Sequence, residues 1–521
     1  MRKLLCILFF LLMIPSVSWS ANHYFDATDG NDSTGDGSSG SPWQTLAKAN
    51  TECTSGDVCY FASEETWTGS SSMISCASGV TYDGSTWGTG TRATLQASTD
   101  SSGWSMVDIY QSNVVFQGFK VDGNNHNISQ IRAGLYYTIS DITIDNCEVT
   151  NNRTTDSGSQ FYYGIHLGPR DSHTVSNVTI KNCHVHHTGH EGITIYHYWQ
   201  DNIPNRNYNI TVRGNTVHDT GQVSGTNRGN GIDCFNNADN ITLEYNTIYN
   251  IIGNFSAFAV GTYGLPTYSG YYGSPENVVF RYNIIYASPN AIGIPAAYNN
   301  PIDSVYIYGN IIIGGMVSLT SGNYVGANIG IYNNTMLQGG YSPTHLFRTL
   351  VTASTGTIDF KNNILNSTST ILVGEDSTNS FSHINHSNNL YYRSSSATDT
   401  HVESGGVNYH RNGGVNDFTT SLETSAKKTN PAFTGGTIPT GFSGTYGTDM
   451  IPNTTYFAIS SGDAINNGYT LGSPYNGCIN GAGLATVITR PQGAGYDIGA
   501  YEYGSTPPTA QGCIMNGTTF K

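Results

Sequence analysis

Ionisable side chains suited to acid–base chemistry concentrate in the middle of the chain. They combine imidazoles, carboxylates and guanidinium groups: His166, Arg170, Asp171, His190, Glu191, His197, Arg228 and Asp233. Aromatic residues are interspersed with them, and an aromatic ring can stack on a sugar face while its polar edge stays hydrated. These aromatics are Tyr136, Tyr162, Tyr163, Tyr196, Tyr198, Trp199 and Phe235. The composition favours a groove for a polysaccharide, although the hydrated outside of a repetitive β-protein would carry similar residues.

A repeated strand pattern supplies the scaffold for these side chains. An apolar–x–apolar triplet recurs at intervals of 24 to 37 residues, from Val114–Phe116 to Ile384–His386. Alternating burial is typical of a β-strand, and a drifting period of this size indicates one coil of a solenoid. The sequence therefore predicts an all-β, single-stranded right-handed parallel β-helix of about ten or more coils.

Three residues after each triplet, one column of positions is occupied mostly by asparagine. Read in order, the column is Cys147, Cys183, Asn215, Asn246, Asn283, Asn310, Asn334, Asn363 and Asn389. Stacked coils lie roughly 4.8 Å apart, so the side-chain amides can bond from coil to coil as an asparagine ladder. Cys147 and Cys183 are predicted to be stacked buried thiols, with a disulfide between them as the alternative.

Each coil has three strands. The repeat resembles that of pectate-lyase-like β-helices, and this resemblance implies that the asparagine column lies between the second and third strands. The first strands then often carry a Gly-Ile pair. They are 164–167, 192–196, 231–235, 257–260 and 291–294, with Leu135-Tyr136-Tyr137 as the expected strand of the preceding coil. Because the isoleucines point inward, His166, Thr194 and Asp233 are expected to form an outward column. Two coils separate His166 from Asp233, which is roughly 10 Å. Long loops accompany the same coils, which favours this face for binding.

The chain resembles the pectate-lyase-like superfamily of β-helix proteins. The resemblance rests on the repeat, on the opening segments Tyr24–Asp32, Ser41–Leu46 and Gly56–Tyr60, and on the closing segment Asp497–Tyr503. It implies a short capping helix at about residues 43–50 and a binding cleft on the first-strand face. Fold alone does not fix the reaction.

The first hypothesis is a polysaccharide lyase that cleaves a uronate-containing glycan by β-elimination. Such a reaction needs a base for the C5 proton, an acid for the leaving oxygen and neutralisation of the uronate carboxylate. His166 or His190 is the candidate base, and Arg228 or Arg170 the carboxylate clamp. Glu191 and Asp233 are candidate Ca²⁺ ligands. The sugar-contacting set is Tyr136, Arg170, Tyr196, His197, Trp199 and Phe235.

Two alternatives remain open. A glycoside hydrolase would use Glu191 and Asp233 as its pair of carboxylates, about 5–5.5 Å apart for retention or about 6.5–9.5 Å for inversion. A non-catalytic glycan-binding or adhesin-like rod would use the same face for contact only.

Three further clusters carry weaker signals. His184, His186, His187 and His218 could bind a transition metal. Asp29, Asn31, Asp32 and Asp36 could hold calcium, although Asx turns explain a Gly-rich loop of this kind more simply. An outward column of alternating charge is interpreted as a stripe of surface ion pairs rather than a site for an anionic polymer: Asp145, Lys181, Arg213, Glu244 and Arg281.

The ends of the chain and its charge complete the prediction. A secretory signal peptide is predicted from Arg2 and Lys3, the short apolar run after them and the small residues up to Ala21. The protein is therefore expected to be exported, with no membrane span, to a compartment that permits disulfides. The expected disulfides are one bond within Cys53, Cys59 and Cys76, and Cys478–Cys513. Removal of the signal lowers the formal charge from −15 to −17, which argues against nucleic-acid partners. A monomer is expected, divided into residues 1–21 (signal), 22–105 (cap and first coils), 106–395 (helix core), 396–503 (last coils and cap) and 504–521 (tail).

Overall fold

A computed structural model of the 521-residue chain shows three long sheets wound from successive coils. The structure describes residues 20–101, 105–152, 162–196, 207–222, 229–252, 255–261, 275–286, 290–295, 304–323, 327–339, 343–353, 356–375, 384–395, 399–404, 406–411, 415–434, 459–479, 487–491 and 494–503. The predicted signal segment lies outside these residues, apart from Ser20 and Ala21. Each coil contributes one strand to each sheet, so the parallel β-helix with three strands per coil is confirmed.

The first-strand sheet has 13 strands, all parallel except the last pair. They are Ile74–Ser75, Ser105–Ile109, Ser129–Ala133, Ile165–Leu167, Ile193–Tyr196, Ile232–Phe235, Ser256–Gly261, Asn290–Pro295, Met316–Asn323, His345–Ala353, Ile371–Glu375, Val402–Ser404 and Val407–Tyr409.

The second-strand sheet also has 13 strands. They are Asn22–Phe25, Val58–Phe61, Thr81–Asp83, Val114–Gln117, Ile139–Asp145, Val175–Lys181, Asn207–Arg213, Ala238–Glu244, Glu276–Arg281, Ser304–Tyr308, Asn328–Tyr332, Thr357–Lys361 and Ile384–Ser387.

The third-strand sheet has 12 strands. They are Thr66–Gly69, Ala93–Ala97, Phe119–His126, Glu148–Asn152, His184–His186, Thr216–His218, Thr247–Tyr249, Ile284–Tyr286, Ile311–Ile313, Thr335–Leu337, Ile364–Ser367 and Leu390–Arg393. A separate antiparallel pair joins Gly477–Ile479 to Val487–Thr489.

The asparagine column is a hydrogen-bonded ladder. From Asn215 to Asn363, each side-chain Nδ2 and each backbone N–H donates to Oδ1 of the asparagine on the next coil, at 2.9–3.1 Å, and the last acceptor is Asn389. The residue before every ladder position has a left-handed backbone, including Tyr245 and Tyr282. This conformation turns the chain between the second and third sheets, and the ladder amides satisfy backbone groups that the turn leaves unpaired.

A second, exposed ladder crosses four successive strands of the second-strand sheet, at the third residue of each, and was not predicted. Asn177 donates to Asp141, Asn209 to Asn177 and Asn240 to Asn209. All four residues have positive φ, which asparagine and aspartate tolerate better than most residues.

The capping helix spans Leu46–Glu52, three residues later than expected. Thr45 is the N-cap, and its hydroxyl accepts a hydrogen bond from Lys48 N at 3.1 Å. Trp43 instead pairs with the backbone of Tyr24, so it continues the sheet edge rather than the helix. Ala49 of this helix joins the core at the first coils. A second short helix spans Phe418–Ser421.

The apolar interior runs through all described coils as one cluster. A second cluster covers the outer face of the late third strands, where Ile311, Leu337 and Ile364 meet Ile498 and Tyr501 of the closing segment. The Asp497–Tyr503 segment therefore packs on the outside of the coils and protects an apolar sheet face from water.

The cysteines follow the prediction where the structure describes them. Cys53 and Cys59 form a disulfide, and Cys147 and Cys183 are buried free thiols. Cys478 is buried, and Cys513 lies outside the described residues, so their pairing stays a prediction.

Candidate functional site

The first-strand sheet carries the column that the sequence predicted. His166 pairs in register with Thr194, and Thr194 with Asp233. The column also extends backwards, because Arg132 pairs with His166 and Asp108 with Arg132. Adjacent members lie one coil apart, roughly 4.8 Å. Five coils thus present an Asp-Arg-His-Thr-Asp series on one sheet.

Arg132 and Asp108 were missed because the strand before His166 was misplaced. The prediction of Leu135-Tyr136-Tyr137 as a first strand is wrong, since the strand is Ser129–Ala133. Gly134 and Leu135 have φ values of 94° and 58°, which end the strand in a left-handed turn. The available signal was the pair Ile131 and Ala133, which flank Arg132 as Ile165 and Leu167 flank His166.

The column is not exposed, contrary to expectation. His166, Thr194 and Asp233 are each 1–2% exposed, although their strand neighbours Ile165 and Ile193 fill the core. The Tyr163 ring lies 4.5 Å from the His166 ring. A Cβ atom at Gly168 would lie 1.9 Å from His166 Nε2, so backbone presses directly on the imidazole.

Burial also sets the protonation of His166. Desolvation, helped by the positive charge of Arg132, lowers the pKa of His166 well below its usual range. The imidazole is therefore neutral at ordinary pH. Its low pKa makes it a weak base until a negative charge comes close to it and favours the protonated form.

Of the other predicted catalytic side chains, two are buried and one lies outside the described residues. His190 and Glu191 are each 2% exposed, and the His190 ring lies 5.9 Å from that of Tyr162. Glu191 precedes Thr194 by three residues, so it is offset along the sheet from the column of Asp233. Arg228 lies outside the described residues.

The predicted sugar-contacting residues are likewise divided. Tyr136 is 50% exposed, whereas Phe235 is buried and Tyr196 half-buried. His197 and Trp199 lie outside the described residues.

An accessible surface lies beside the early part of the column. Tyr110 and Tyr137 stack with ring centroids 5.1 Å apart. Arg170 Nη1 donates to the Tyr136 hydroxyl at 2.9 Å, and its guanidinium lies 5.4 Å from the same ring. We call Tyr110, Tyr136, Tyr137 and Arg170 the tyrosine platform.

The platform is joined to the column through Asp108. The Tyr110 hydroxyl donates to Asp108 Oδ1 at 2.9 Å, and burial together with this carboxylate raises the pKa of Tyr110 to about 12. An open groove next to it is lined by Ser75, Cys76, Ala77, Ser78, Asp108, Tyr110, Gln111 and Tyr137. Exposed rings, a cation and a groove are the elements of a sugar-binding surface.

The predicted calcium ligands, Glu191 and Asp233, are not grouped with further carboxylates in the described part of the chain. Ca²⁺ takes about six to eight oxygen ligands. Within the described residues, Glu191 and Asp233 belong to no group of three or more close potential ligands. The calcium site stays a prediction, and the reaction proposed below uses no calcium.

The opening loop is built from Asx turns, which agrees with the simpler of the two interpretations of its aspartates and asparagine. Asn31 Oδ1 accepts from Ser33 N and Thr34 N, and Asp36 Oδ1 from Ser38 N. Asp32 instead accepts from the Thr45 hydroxyl at 2.5 Å, which fixes the start of the capping helix.

The alternating charge column forms ion pairs. Lys181 lies 3.2 Å from Asp145, and Arg281 lies 2.6 Å from Glu244. Arg213 completes the stripe at 3.6 Å from Glu244 and is 46% exposed. These cations are thus engaged with carboxylates of neighbouring coils.

The histidines of the third-strand sheet form the two groups of potential metal ligands found among the described residues. One is His184, His186 and His218, and the other is His187, His218 and Asp219. Burial, then the neighbouring imidazoles, lowers the pKa of His184 below its usual range. Burial also lowers the pKa of His218, against the opposing effect of Asp219.

Comparison with known proteins agrees with this architecture. Residues 78–264 match the profile described as the right handed beta helix region. No curated protein sequence is significantly similar to the chain. Neither helix in the described part of the chain has the length and apolar character needed to span a membrane.

Solved structures with a related fold include enzymes and an adhesin. Pectate lyase Pel9A is 15% identical with a TM-score of 0.48, over 94% of this chain and 97% of that one. Lacto-N-biosidase from Eubacterium ramulus is 13% identical with a TM-score of 0.44, over 64% and 67%. The surface adhesin PfbA of Streptococcus pneumoniae is 12% identical with a TM-score of 0.38, over 67% and 85%.

Because these TM-scores lie below 0.5, no activity is taken from the likenesses. The profile match and the three-sheet coils carry the assignment of fold: the protein is a right-handed parallel β-helix protein.

Proposed function

We propose that the protein is a carbohydrate-active β-helix that binds a uronate-containing polysaccharide on the first-strand face and cleaves it by β-elimination. The observation that carries this proposal is the tyrosine platform with Arg170, joined through Asp108 to the Arg132–His166 column. The platform offers both sugar stacking and a cation, and Arg170 follows the buried, neutral His166 by four residues along the chain.

Binding begins at the platform. Tyr136 and Tyr137 are 50% and 46% exposed, so their rings are open to pyranose faces. A chain with a formal charge of −15 repels a polyanion at long range and needs a local cation to hold it. Arg170 supplies that cation, and a guanidinium can bind a uronate carboxylate through two parallel hydrogen bonds.

The chemistry follows from neutralising the uronate. Pairing of the carboxylate with Arg170 makes the C5 proton more acidic, and His166 accepts that proton in our assignment. The C5–H electrons form the C4–C5 double bond, the C4–O bond breaks, and the leaving oxygen takes a proton from water. His166 then returns its proton to the solvent. Because His166 is covered by Tyr163 and Gly168, substrate binding must open this contact before proton transfer.

A panel of uronate-containing and neutral polysaccharides tests the reaction class. Each incubation is read by ultraviolet absorbance of the unsaturated uronide and by reducing ends, with and without EDTA. We expect both signals from a uronate polymer, unaffected by EDTA. Reducing ends without unsaturation would replace the lyase by a hydrolase using Glu191 and Asp233. Binding without products would leave a non-catalytic glycan-binding protein.

Arg170→Ala should lower kcat/KM for the cleaved polymer about 100-fold, because the developing charge on the uronate loses its partner. The matched control is Arg213→Ala, since Arg213 also stacks on a tyrosine, 5.8 Å from the Tyr245 ring, but lies on the second-strand sheet. Initial rates of unsaturated product measure both. Equal losses in the two variants would remove Arg170 from the proposed site.

A further inference from the structure

The histidine cluster on the third-strand sheet lies on a different face from the tyrosine platform. His184 and His186 flank Val185, which points into the core, and the next coil repeats the arrangement at Val217 and His218. His186 and His218 pair in register, so their imidazoles stack on the outside of adjacent coils with ring centroids 5.0 Å apart.

The ring nitrogens converge between the coils. His184 Nε2 lies 2.7 Å from His218 Nε2. One nitrogen from each of His184, His186 and His218 lies within 4.8 Å of the others. A zinc ion about 2.0–2.1 Å from each nitrogen would need them roughly 3.4 Å apart, which small side-chain rotations can provide.

A carboxylate orients His218 from behind. His218 Nδ1 lies 2.6 Å from Asp219 Oδ2, a short contact in which the imidazole donates and the carboxylate accepts. This bond places the His218 proton on Nδ1 and leaves the Nε2 lone pair directed at His184. Metal-bound histidines are commonly held in this way by a carboxylate on the other nitrogen.

We propose that His184, His186 and His218 bind a transition-metal ion of the zinc class and join two adjacent coils, with Asp219 positioning His218. Three imidazoles suit zinc, copper or nickel and not calcium or magnesium, which prefer oxygen ligands. His187, on the turn after His186, is 50% exposed, and its ring centroid lies 6.0 Å from that of His218. The inference is independent of the polysaccharide proposal.

Zinc titration of the full-length, tag-free protein tests the site. Isothermal calorimetry should give one Zn²⁺ per chain, and Co²⁺ should give the visible absorption of nitrogen-coordinated cobalt. His218→Ala should abolish both signals. Asp219→Asn should weaken zinc binding about 10- to 100-fold, because the orienting carboxylate is lost.

The control is His126→Ala, which removes a histidine that also contacts an aspartate, at 3.1 Å from Asp100, on the same sheet but two coils before the strand of His184 and His186. Circular dichroism establishes that each variant is folded. If the His218→Ala variant is unfolded, zinc binding by the Asp219→Asn variant is the deciding measurement. No stoichiometric zinc binding by the wild type, or equal losses in His126→Ala and Asp219→Asn, would overturn the site.

Discussion

Asn283→Ala should destabilise the protein by about 3–5 kcal/mol, since it removes a rung from the middle of the ladder. Asn283 Oδ1 accepts from Asn246 N at 2.9 Å and from Asn246 Nδ2 at 3.1 Å. Its Nδ2 donates to Leu243 O at 2.9 Å and to Asn310 Oδ1 at 3.0 Å. All these groups are buried, and alanine would leave several of them without a partner in a site that water cannot enter.

Urea unfolding monitored by circular dichroism measures this loss. Asn385→Ala is the matched control, because the Asn385 side chain is exposed and donates a single hydrogen bond to Asp359. We expect the control to change the free energy of unfolding by less than about 0.5 kcal/mol. A similar small change in Asn283→Ala would contradict a structural role for the ladder.

Glu423 should make stability depend on pH, because it replaces asparagine at the last rung of the ladder. Asn389 N donates to Glu423 Oε1 at 2.8 Å, and Asn389 Nδ2 to Oε2 at 3.0 Å. The Tyr391 hydroxyl adds a third donor at 2.9 Å. Glu423 is nevertheless 4% exposed, and burial raises its pKa from 4.5 to about 7.

The sign of the effect follows from proton linkage. With the pKa raised in the folded state, the native protein binds an extra proton between pH 4.5 and about 7. The contribution of Glu423 to stability is therefore fully present below pH 4.5 and is lost as pH rises towards and through 7. His386 faces the same carboxylate, with Nδ1 at 3.8 Å from Oε2, and burial lowers its pKa well below the usual range. At acid pH the folded protein therefore favours a neutral Glu423 carboxyl group beside a neutral His386 imidazole.

Glu423→Gln removes this titration while keeping the shape of the side chain. Relative to the variant, the wild type should lose on the order of 3 kcal/mol of unfolding free energy between pH 4.5 and pH values above 7. Urea unfolding across this range measures the difference, and Glu52→Gln provides the control, because the Glu52 side chain is 39% exposed on the capping helix. A constant difference between wild type and Glu423→Gln would show that Glu423 does not titrate there. Glu423→Ala should destabilise at every pH, because three donors lose their acceptor.

The sequence was sufficient to predict the register of most coils. The Asn column and the apolar triplets mark the same point of each coil, so His166, Thr194 and Asp233 fell into one column as predicted. The strand of Arg132 was misplaced because it lacks the Gly-Ile pair. The sequence signal for this strand was only the short apolar–polar alternation of Ile131, Arg132 and Ala133.

The burial of the outward column and the capping of the ladder by a distant residue could not be predicted from the sequence pattern. Alternation indicates which side of a strand a residue faces, but not what covers the outer side, and so the burial of His166 under Tyr163 and Gly168 was missed. Glu423 lies 34 residues after Asn389 and outside the repeat, so only the folded chain brings it to the end of the ladder.

Affinity electrophoresis through gels containing a uronate polysaccharide tests the central proposal most directly, because it detects binding whether or not cleavage follows. The wild type should be retarded, and Tyr136→Ala/Tyr137→Ala should migrate as in a gel without polysaccharide. Tyr208→Ala, which removes a tyrosine that is 40% exposed on the second-strand sheet, should be retarded like the wild type. Retardation that survives the Tyr136 and Tyr137 substitutions, or is lost with Tyr208, would contradict a polysaccharide site on the first-strand face.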